Sequence, residues 1–490
     1  MLNNSLSGKE IDFKTLEKLM FEFVCKLGRL IIRYLLEMCD KQLMLSRDKK
    51  AYRHKGYKST CIKTIMGPVE FKRVVYEHTD ENGKKQFVYL LDEYLKLETI
   101  GFMSTNLVEK VIENTTNVSY RKSAKNITDM TGQNISHTAA WNVTQELGER
   151  IANEEKKNIE KYYKGELNGK KEVKVLFEEA DGLWINMQGK DRPKKGNSRK
   201  REIKLAVTYE GWERKNEKAP RYLLHNKRAV AGFMNSKDFK DLRDANIAEK
   251  YNVDKIEVKL VGGDGADWIK QGIEEKGTYF QLDRYHIGKA VIRNVYDKRE
   301  AKRILKLLNN GKEDKAIERI RELMYECGGE EDKVKKLQAL ETYLKNNREG
   351  LRLYKERDTI KLPELPEGLY YRNMGTAEHN ICDILKLRMK GNKTSWSISG
   401  ANNLAKILAV KASGKLQDTI DGLMSSVVPE KLTEKFVEVV KNVSSKAEKA
   451  TKSTVYPVRR GGMPFSGCAL TEGMKVVRRF IDGNAVTDLL

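Results

Sequence analysis

The middle of the chain, from Val173 to Ile287, decides the fold. Four stretches there read as strands: VKVLFEEADGLWINM at residues 173–187, REIKLAVTYEG at 201–211, IEVKLVGGDGADWIK at 256–270 and TYFQLDRYHI at 278–287. Each stretch is rich in β-branched and aromatic residues and is bounded by glycine or charge, a pattern typical of strands. We count five strands in the whole region, one more than these four stretches: the first three read as a meander, and the later two alternate with helices. The sequence therefore predicts an α/β domain with a mixed sheet.

Two of these stretches carry an aspartate that is followed by glycine, Asp181 and Asp264. A carboxylate on a strand or at its end weakens the strand and loses hydration, so such a residue indicates a cation nearby. A third carboxylate, Glu378, follows Thr376, which we expect to cap a late helix. In the first turn of that helix, the positive helix end favours an ionised carboxylate.

Three acids from separate segments suit one kind of chemistry. Phosphodiester hydrolysis and transesterification use two divalent cations roughly 3.5–4 Å apart, and magnesium and manganese prefer carboxylate ligands. We therefore predict that Asp181, Asp264 and Glu378 are catalytic and bind two Mg²⁺ (or Mn²⁺) ions. The chain has 70 Asp and Glu residues, so other carboxylates compete with these. For Glu179, Asp267 and Asp283 we expect capping or surface salt bridges instead.

Composition indicates the class of partner. The chain has 490 residues, which suits two to four domains, and its formal net charge is +23. An excess of that size favours a polyanion, and we predict double-stranded DNA. No apolar run approaches the roughly 18–20 residues that span a bilayer, and the N-terminus lacks the apolar core of a signal peptide. The six scattered cysteines form no C-x-x-C pair. These features favour a reduced cytoplasmic, nucleoid-associated protein that does not bind membranes.

Residues 105–165 carry a helix-turn-helix pattern. An apolar-periodic helix is followed by a second helical stretch that ends near Gly132, and Ser136 is placed to cap the next helix. In that arrangement Ser136, His137 and Thr138 would face base edges in the major groove. An ordinary helical hairpin is the alternative.

Two further basic segments are predicted to contact DNA. One is GKDRPKKGNSRKR at residues 189–201, between the first two strands, which suits a contact along the phosphate backbone or else a solvated hairpin tip. The other is the polar face of the helix that follows Glu378, opposite an apolar face of Ile381, Ile384, Leu385 and Met389. The predicted contacts in the two segments are Arg192, Lys194, Lys195, Arg199, Lys200, Lys386, Arg388 and Lys390.

Several strings together resemble a known family. The strings are ADGLW, GGDGADWIK, FQLDRYHI and MGTAEHNI with the following SWSISGANNLAK, and the likeness also includes the DEYLKL segment and the RRGGMPF tail. They are similar to ISLre-type insertion-sequence transposases, bacterial mobile-element enzymes related to the Mutator-like DDE transposases. The resemblance covers nearly the whole chain. Trp396, after the final acid, matches an aromatic position in related elements, where we expect packing.

The resemblance implies an RNase H-like catalytic domain with an α-helical insertion before the last acid. It implies that Asp181, Asp264 and Glu378 form the DDE triad with a divalent metal. The expected activity is binding of terminal inverted repeats, cleavage of the 3′ ends and attack of the freed 3′-hydroxyl on target DNA. A structure-selective nuclease or resolvase on the same fold, and a catalytically silent DNA-binding regulator, are the alternatives.

The predicted domains follow from these segments. Residues 1–50 form a helical segment, docked on its own domain or dimerising, and residues 51–104 a small β unit. Residues 105–165 form the DNA-binding region, and 170–289 with 364–412 the catalytic domain. Residues 290–363 form the helical insertion and 413–490 a basic tail. We expect a homodimer or higher oligomer on DNA.

Overall fold

The computed structural model describes residues 12–79, 83–95, 102–193, 199–216, 221–391 and 394–424. The chain divides into two compact units. Within the described ranges, the first unit contains residues between 12 and 115 and from 119 to 143, and the second contains 116–118 and 144–423. Among the described residues, no helix is both long and apolar enough to span a membrane.

The first unit begins with a long helix and a three-stranded sheet. Helix α1 (Phe13–Ser46) starts at Asp12, whose Oδ1 accepts the N–H of Thr15 at 3.0 Å. Strands β1 (Tyr52–Thr64), β2 (Gly67–Thr79) and β3 (Lys85–Val88) pair antiparallel in that order, and helix α2 (Leu90–Leu95) follows. The shared core contains Cys39, Ile62, Val69, Phe71, Leu91 and Leu95.

Three helices follow: α3 (Thr105–Asn117), α4 (Tyr120–Thr131) and α5 (His137–Tyr163). Helix α4 ends at Gly132, where a positive φ of 66° suits glycine. The Ser136 Oγ accepts the N–H of Ala139 at 3.0 Å, so this serine caps α5 as predicted. The predicted helices and the turn between them are confirmed as local structure.

The second unit is built on a five-stranded sheet. Its strands are numbered with those of a smaller sheet in chain order: β4 (Val175–Asn186), β5 (Lys200–Tyr209), β6 (Trp212–Arg214), β7 (Tyr222–Leu224), β8 (Arg228–Gly232), β9 (Val258–Gly263), β10 (Thr278–Leu282) and β11 (Leu369–Tyr370). The large sheet has the order β10-β9-β4-β5-β8. Strands β4, β5 and β8 pair antiparallel, whereas β9 runs parallel to both β4 and β10. The predicted meander and mixed sheet are confirmed, and the small sheet β11-β6-β7 was not predicted.

Helices pack around this sheet. They are α6 (Ser236–Lys250), α7 (Asp267–Lys270), α8 (Arg284–Asn294), α9 (Lys298–Asn309), α10 (Glu313–Glu326), α11 (Glu331–Asn346) and α12 (Arg348–Leu351). Then come α13, which joins Ala377–Asn380, the π-helical Ile381–Lys386 and Leu387–Met389, and α14 (Ile398–Ala412) and α15 (Leu416–Met424). One continuous core joins sheet residues such as Ala180, Val261 and Leu282 to Ile304 and Leu340 of the helices. Helices α9 to α12 lie in the range predicted as a helical insertion.

Candidate functional site

Three side chains meet where neighbouring parallel strands end. In the sheet, Glu179 of β4 pairs with Gly262 of β9, which brings Asp181 beside Asp264, the first residue after β9. Helix α8 begins directly after β10 and carries His286. Asp181, Asp264 and His286 each offer a ligand atom, and these atoms lie within 4.8 Å of one another. The structure therefore brings two of the three predicted acids together with a histidine.

Two glycines explain how Asp264 comes so close to β4. A Cβ atom at Gly263 would lie 2.9 Å from the carbonyl oxygen of Ala180, so a side chain there would push the two strands apart. Gly265 has a φ of +93°, and a Cβ there would lie 2.4 Å from Oδ1 of Asn347. Both positions require glycine: Gly263 because the strands approach closely, and Gly265 because of its close contact and its positive φ.

The loop that carries Asp264 is held from two sides. Oδ1 of Asp264 accepts the N–H of Ala266 at 2.9 Å. The hydroxyl of Tyr343, on α11, donates to the carbonyl oxygen of Asp264 at 2.8 Å. A helix from the 298–346 segment therefore contacts the site directly.

Asp181 is a carboxyl group in an environment that disfavours its charge. The residue is only 7% exposed, and its Oδ1 accepts the N–H of Gly182 at 2.7 Å. The pKa of Asp181 is raised to about 6, chiefly by burial and to a smaller extent by the charges of Asp264 and Glu378, while the Gly182 N–H and His286 act in the opposite direction. A bound cation would restore the ionised form, because opposite charge favours it.

His286 is the site residue that sequence reasoning missed. Its Nδ1 lies 3.4 Å from Oδ2 of Asp283, whose Oδ1 accepts the N–H of Tyr285 at 2.8 Å and so caps α8. Burial alone lowers the pKa of His286, but the neighbouring carboxylates of Asp283, Asp181 and Asp264 outweigh it and raise that pKa. The capping role predicted for Asp283 is confirmed. The signal for His286 was its position one helical turn after that cap.

Glu378 lies near these groups but outside the set that meets within 4.8 Å. It is in the first turn of α13, as predicted, and its Oε1 is 3.4 Å from Nζ of Lys386. Its side chain is 37% exposed. Because the Glu378 charge raises the pKa of Asp181, the two carboxyl groups share one electrostatic environment.

The cap of α13 differs from the prediction. Thr376 occupies the N-cap position, but its hydroxyl accepts no backbone N–H of the helix. Instead Oε2 of the buried Glu179 accepts the N–H groups of Gly375 (2.9 Å), Thr376 (2.7 Å) and Ala377 (3.2 Å). The hydroxyls of Tyr209 and Thr376 donate to Oε1 of Glu179 at 2.5 and 2.8 Å. The capping role expected of Glu179 is confirmed, whereas Asp267 is simply exposed in the first turn of α7.

The face predicted to be basic on α13 needs one correction. Arg388 is buried, at 9% exposure, with its guanidinium carbon 5.3 Å from the ring centroid of Trp396. The reason is its spacing: Arg388 follows Ile381 by seven residues and Ile384 by four, so a regular helical period already places it on the apolar face. Lys390 is exposed, and Lys386 faces Glu378. The predicted apolar residues of this helix are buried, as is Trp396, which packs as expected and donates its Nε1–H to the Met389 carbonyl at 2.8 Å.

The remaining predicted DNA contacts lie at exposed positions where they are described. His137 and Thr138 are exposed at the start of α5, next to the capping Ser136. Arg192, Arg199 and Lys200 are exposed in and beside the loop between β4 and β5. Lys194 and Lys195 lie outside the described residues, as does the tail beyond residue 424.

The donor set of the site fits a divalent metal ion. Two carboxylates and one imidazole offer oxygen and nitrogen ligands within 4.8 Å of one another. Carboxylates suit magnesium and manganese, and an imidazole favours manganese or a later transition metal over magnesium. Asp283 also lies against a ring nitrogen of His286, and a carboxylate in that place orients an imidazole that binds a metal through its other nitrogen.

Comparison with known sequences gives the family. Residues 6–421 match the profile of UPF0236, described as an uncharacterised protein family. The chain belongs to the UPF0236 family. A UPF0236 protein of Caldanaerobacter subterraneus subsp. tengcongensis, whose name joins eleven locus designations, is 29% identical over 447 residues, 89% of this chain and 86% of the relative.

Two further UPF0236 relatives match most of the chain. A second protein of the same organism, with four locus designations, is 27% identical over 417 residues, 84% of this chain and 80% of its own length. A Streptococcus gallolyticus protein, named as a UPF0236 protein in the vanSb 3′ region, is 24% identical over 386 residues, 77% of this chain and 78% of its own length.

Proposed function

We propose that this UPF0236 chain is a DDE-type DNA transposase that binds the terminal inverted repeats of its element, cleaves their 3′ ends and joins them to target DNA. The observation that carries the proposal is the convergence of Asp181 and Asp264, from neighbouring parallel strands, with a third acid, Glu378, close enough to raise the pKa of Asp181. Phosphoryl transfer at neutral pH needs such a group of carboxylates.

The sheet supports an RNase H-like catalytic domain. The strand that bears the first acid lies at the centre of five strands, with an antiparallel meander on one side and two parallel strands on the other. The second acid follows the adjacent parallel strand, and helices α9 to α12 lie between it and the third. This is the order that the resemblance to DDE transposases implies.

The relatives support a mobile element. One name covers eleven loci of a single genome and another covers four. Insertion of copies at many sites is what a transposase does to its own gene, whereas a regulator or a housekeeping nuclease has no reason to be repeated in this way. The number of loci in one genome therefore supports a transposase independently of the site.

The residues of the site have separate roles in this proposal. Asp181, Asp264 and His286 would hold a divalent ion, Mg²⁺ or Mn²⁺, and Glu378 would complete a two-ion site. Such ions, when bound, activate the attacking oxygen and stabilise charge on the leaving oxygen. Asp283 orients the imidazole of His286, and burial of Asp181 keeps water from weakening the electrostatic interactions there.

Binding of DNA and of a second copy is part of the proposal. The net charge of +23 and the exposed start of α5 support recognition of duplex DNA by the first unit. Four apolar side chains at helical spacing on α1 are between 48% and 78% exposed to solvent: Phe13, Leu16, Met20 and Val24. Such a stripe suits pairing with the same helix of another copy.

The test is the substitution Asp181→Asn in the full-length protein. We expect the variant to lose cleavage and strand joining of inverted-repeat DNA in Mg²⁺ or Mn²⁺ by at least about a thousandfold, because the amide removes a ligand charge. Binding to the same DNA should stay nearly unchanged. Cleavage is measured on labelled repeat ends, and binding by gel shift without metal.

Glu257→Gln is the matched control, because it makes the same carboxylate-to-amide change on an exposed residue that pairs with Lys174. We expect wild-type cleavage from it. A folded Asp181→Asn protein that still cuts in Mg²⁺ would contradict the proposal. Cutting of branched DNA without end preference or joining would identify a nuclease, and DNA binding without any cutting a regulator.

A further inference from the structure

Two residues of β4, two positions apart in the sequence, contact different parts of the site. Glu179 caps α13, and Asp181 belongs to the group with Asp264 and His286. Residues i and i+2 of a strand lie on the same face, roughly 6.7 Å apart along it. The start of α13 is therefore attached to the same strand, and on the same face, as a ligand of the candidate metal site.

Several hydrogen bonds to the single side chain of Glu179 hold the start of α13 against β4. Glu179 is 2% exposed, and both of its oxygens are occupied, one by backbone N–H groups and the other by hydroxyls. Burial raises the pKa of Glu179, while the hydrogen bonds from Tyr209, Thr376 and Gly375 act in the opposite direction because they favour the ionised carboxylate. The positive end of the helix favours that form as well. A shift of the first turn would leave the buried carboxylate with the Tyr209 hydroxyl and without the donors from Gly375, Thr376 and Ala377, which is costly.

The geometry points to Glu179 as a positioning residue for Glu378. The last N–H that Glu179 holds belongs to Ala377, so Glu378 is the next residue along the chain. By fixing that turn against β4, Glu179 sets the distance between the carboxyl groups of Glu378 and Asp181. This inference rests on the proposed function, because it assumes that Glu378 acts with Asp181 on a divalent cation.

The experiment uses full-length protein with three substitutions, Glu179→Gln, Thr376→Val and Thr376→Ser. The amide of Glu179→Gln keeps the shape but removes the charge and places N–H groups against donors. Binding of Mn²⁺ is followed through the electron paramagnetic resonance signal of the free ion. Cleavage of repeat-end DNA is measured over a range of Mn²⁺ concentrations, and DNA binding is measured without metal.

We expect Glu179→Gln to bind Mn²⁺ about 10- to 100-fold more weakly, the range seen when an outer partner of a metal ligand is lost. Cleavage should need correspondingly more Mn²⁺ and recover in part when Mn²⁺ is raised, with DNA affinity unchanged. Thr376→Val, which removes one hydroxyl donor to Glu179, should shift Mn²⁺ binding less. Thr376→Ser keeps that donor and should behave as wild type.

Asp40→Asn controls for a purely structural role. Asp40 is a buried carboxylate of the first unit that accepts the N–H of Val74 at 2.8 Å. Its loss should lower the melting temperature without changing Mn²⁺ binding. Glu179→Gln with wild-type Mn²⁺ binding would overturn the inference. Should Glu179→Gln not fold, the Thr376 pair decides: equal Mn²⁺ binding by Thr376→Val and Thr376→Ser would overturn it too.

Failure of the inference and failure of the proposed function give different results. A wild-type protein that cuts repeat ends while Glu179→Gln cuts equally well at every Mn²⁺ concentration would contradict the inference alone. A wild-type protein that binds Mn²⁺ but cuts no DNA would contradict the transposase proposal. In that case weaker Mn²⁺ binding by Glu179→Gln would still support its positioning role.

Discussion

Gly148 shows how much a single missing side chain matters where two helices cross. In α5, a Cβ at Gly148 would lie 2.4 Å from Cβ and 2.6 Å from both Cα and the carbonyl oxygen of Asn403 in α14. Backbone atoms cannot move aside as the end of a flexible side chain can. Gly148→Ala should therefore lower the unfolding free energy by about 1–3 kcal/mol, the usual cost of overpacking, as measured by denaturant unfolding.

The control for Gly148 is another helical glycine. Gly288, in α8, has no atom within 4 Å of a built Cβ, so Gly288→Ala meets open space. That change should be neutral or stabilise the protein by about 0.5–1 kcal/mol, since alanine loses less freedom in a helix. Equal effects from the two substitutions would show that the crossing is not as tight as described.

At the residue scale, a metal ligand can be predicted from the sequence when the residue next to it in the chain is unusual for its surroundings. Asp181 and Asp264 could be predicted because glycine follows each of them in a segment with strand composition, and at Gly265 a positive φ requires glycine. For His286 the sequence offers only its place one helical turn after Asp283, which does not identify a ligand, because the role depends on β10 lying beside β9. The contacts of Glu179 with the start of α13 span almost 200 residues and leave no local pattern.

At the element scale, an ion pair joins three elements behind the site. Nε and Nη2 of Arg243, on α6, donate to the two oxygens of Glu178 on β4 at 2.6 and 3.0 Å, and Nζ of Lys259 on β9 lies 3.2 Å from Glu178. Arg243 also donates to the carbonyl oxygens of Trp268 and Ile269, in α7. The strand that bears Asp181 is thus tied to the segment that follows Asp264.

Arg243→Met should destabilise the protein by about 3–5 kcal/mol, because it leaves Glu178 buried beside one lysine. The double variant Glu178→Leu with Arg243→Met should recover most of that loss, since neither charge is then buried unpaired, and Lys259 keeps Asp244 at 3.4 Å. Denaturant unfolding of the three proteins at pH 7 measures both effects. A single variant as stable as wild type would contradict this account.

The same pair predicts a dependence on pH. Burial alone would raise the pKa of Glu178, but Arg243 and Lys259 outweigh it and lower the pKa from 4.5 to about 2. A lowered pKa means that the stabilisation is complete above about pH 4.5 and is lost as the pH falls towards 2. Across that window, wild type should lose more stability than the double variant, as measured by thermal unfolding. Parallel curves would argue against a charged Glu178.

The sequence predicts elements well where a period is regular. The strands of the large sheet and the helices from Lys298 to Asn346 follow from alternation and three-four spacing. In α13 the apolar face is confirmed, but the prediction that Arg388 lies opposite it is wrong, because Arg388 follows Ile381 by seven residues and Ile384 by four and is buried with them. The strands β6, β7 and β11 are two or three residues long, too short to give a pattern.

At the scale of the whole molecule, the excess of positive charge is the property that bears on all the predicted DNA contacts together. The chain carries 93 Lys and Arg residues against 70 Asp and Glu. If DNA is the partner, each neutralised phosphate releases counterions, and the logarithm of affinity should fall with the logarithm of salt by about 0.9 per phosphate. The slope therefore counts phosphate contacts over all surfaces at once.

Arg199→Ala tests one exposed contact against that total. We expect it to make the slope shallower by about 0.9 and to weaken binding of repeat and unrelated DNA alike, because a phosphate contact carries no base information. Lys335→Ala is the control, because Lys335 is also an exposed cation but already faces Glu331 at 3.0 Å on α11. It should leave the slope unchanged. Fluorescence anisotropy between 50 and 300 mM salt, about the range in which such effects are large, measures the three slopes. An affinity for DNA that does not change with salt would mean that the charge excess serves another partner.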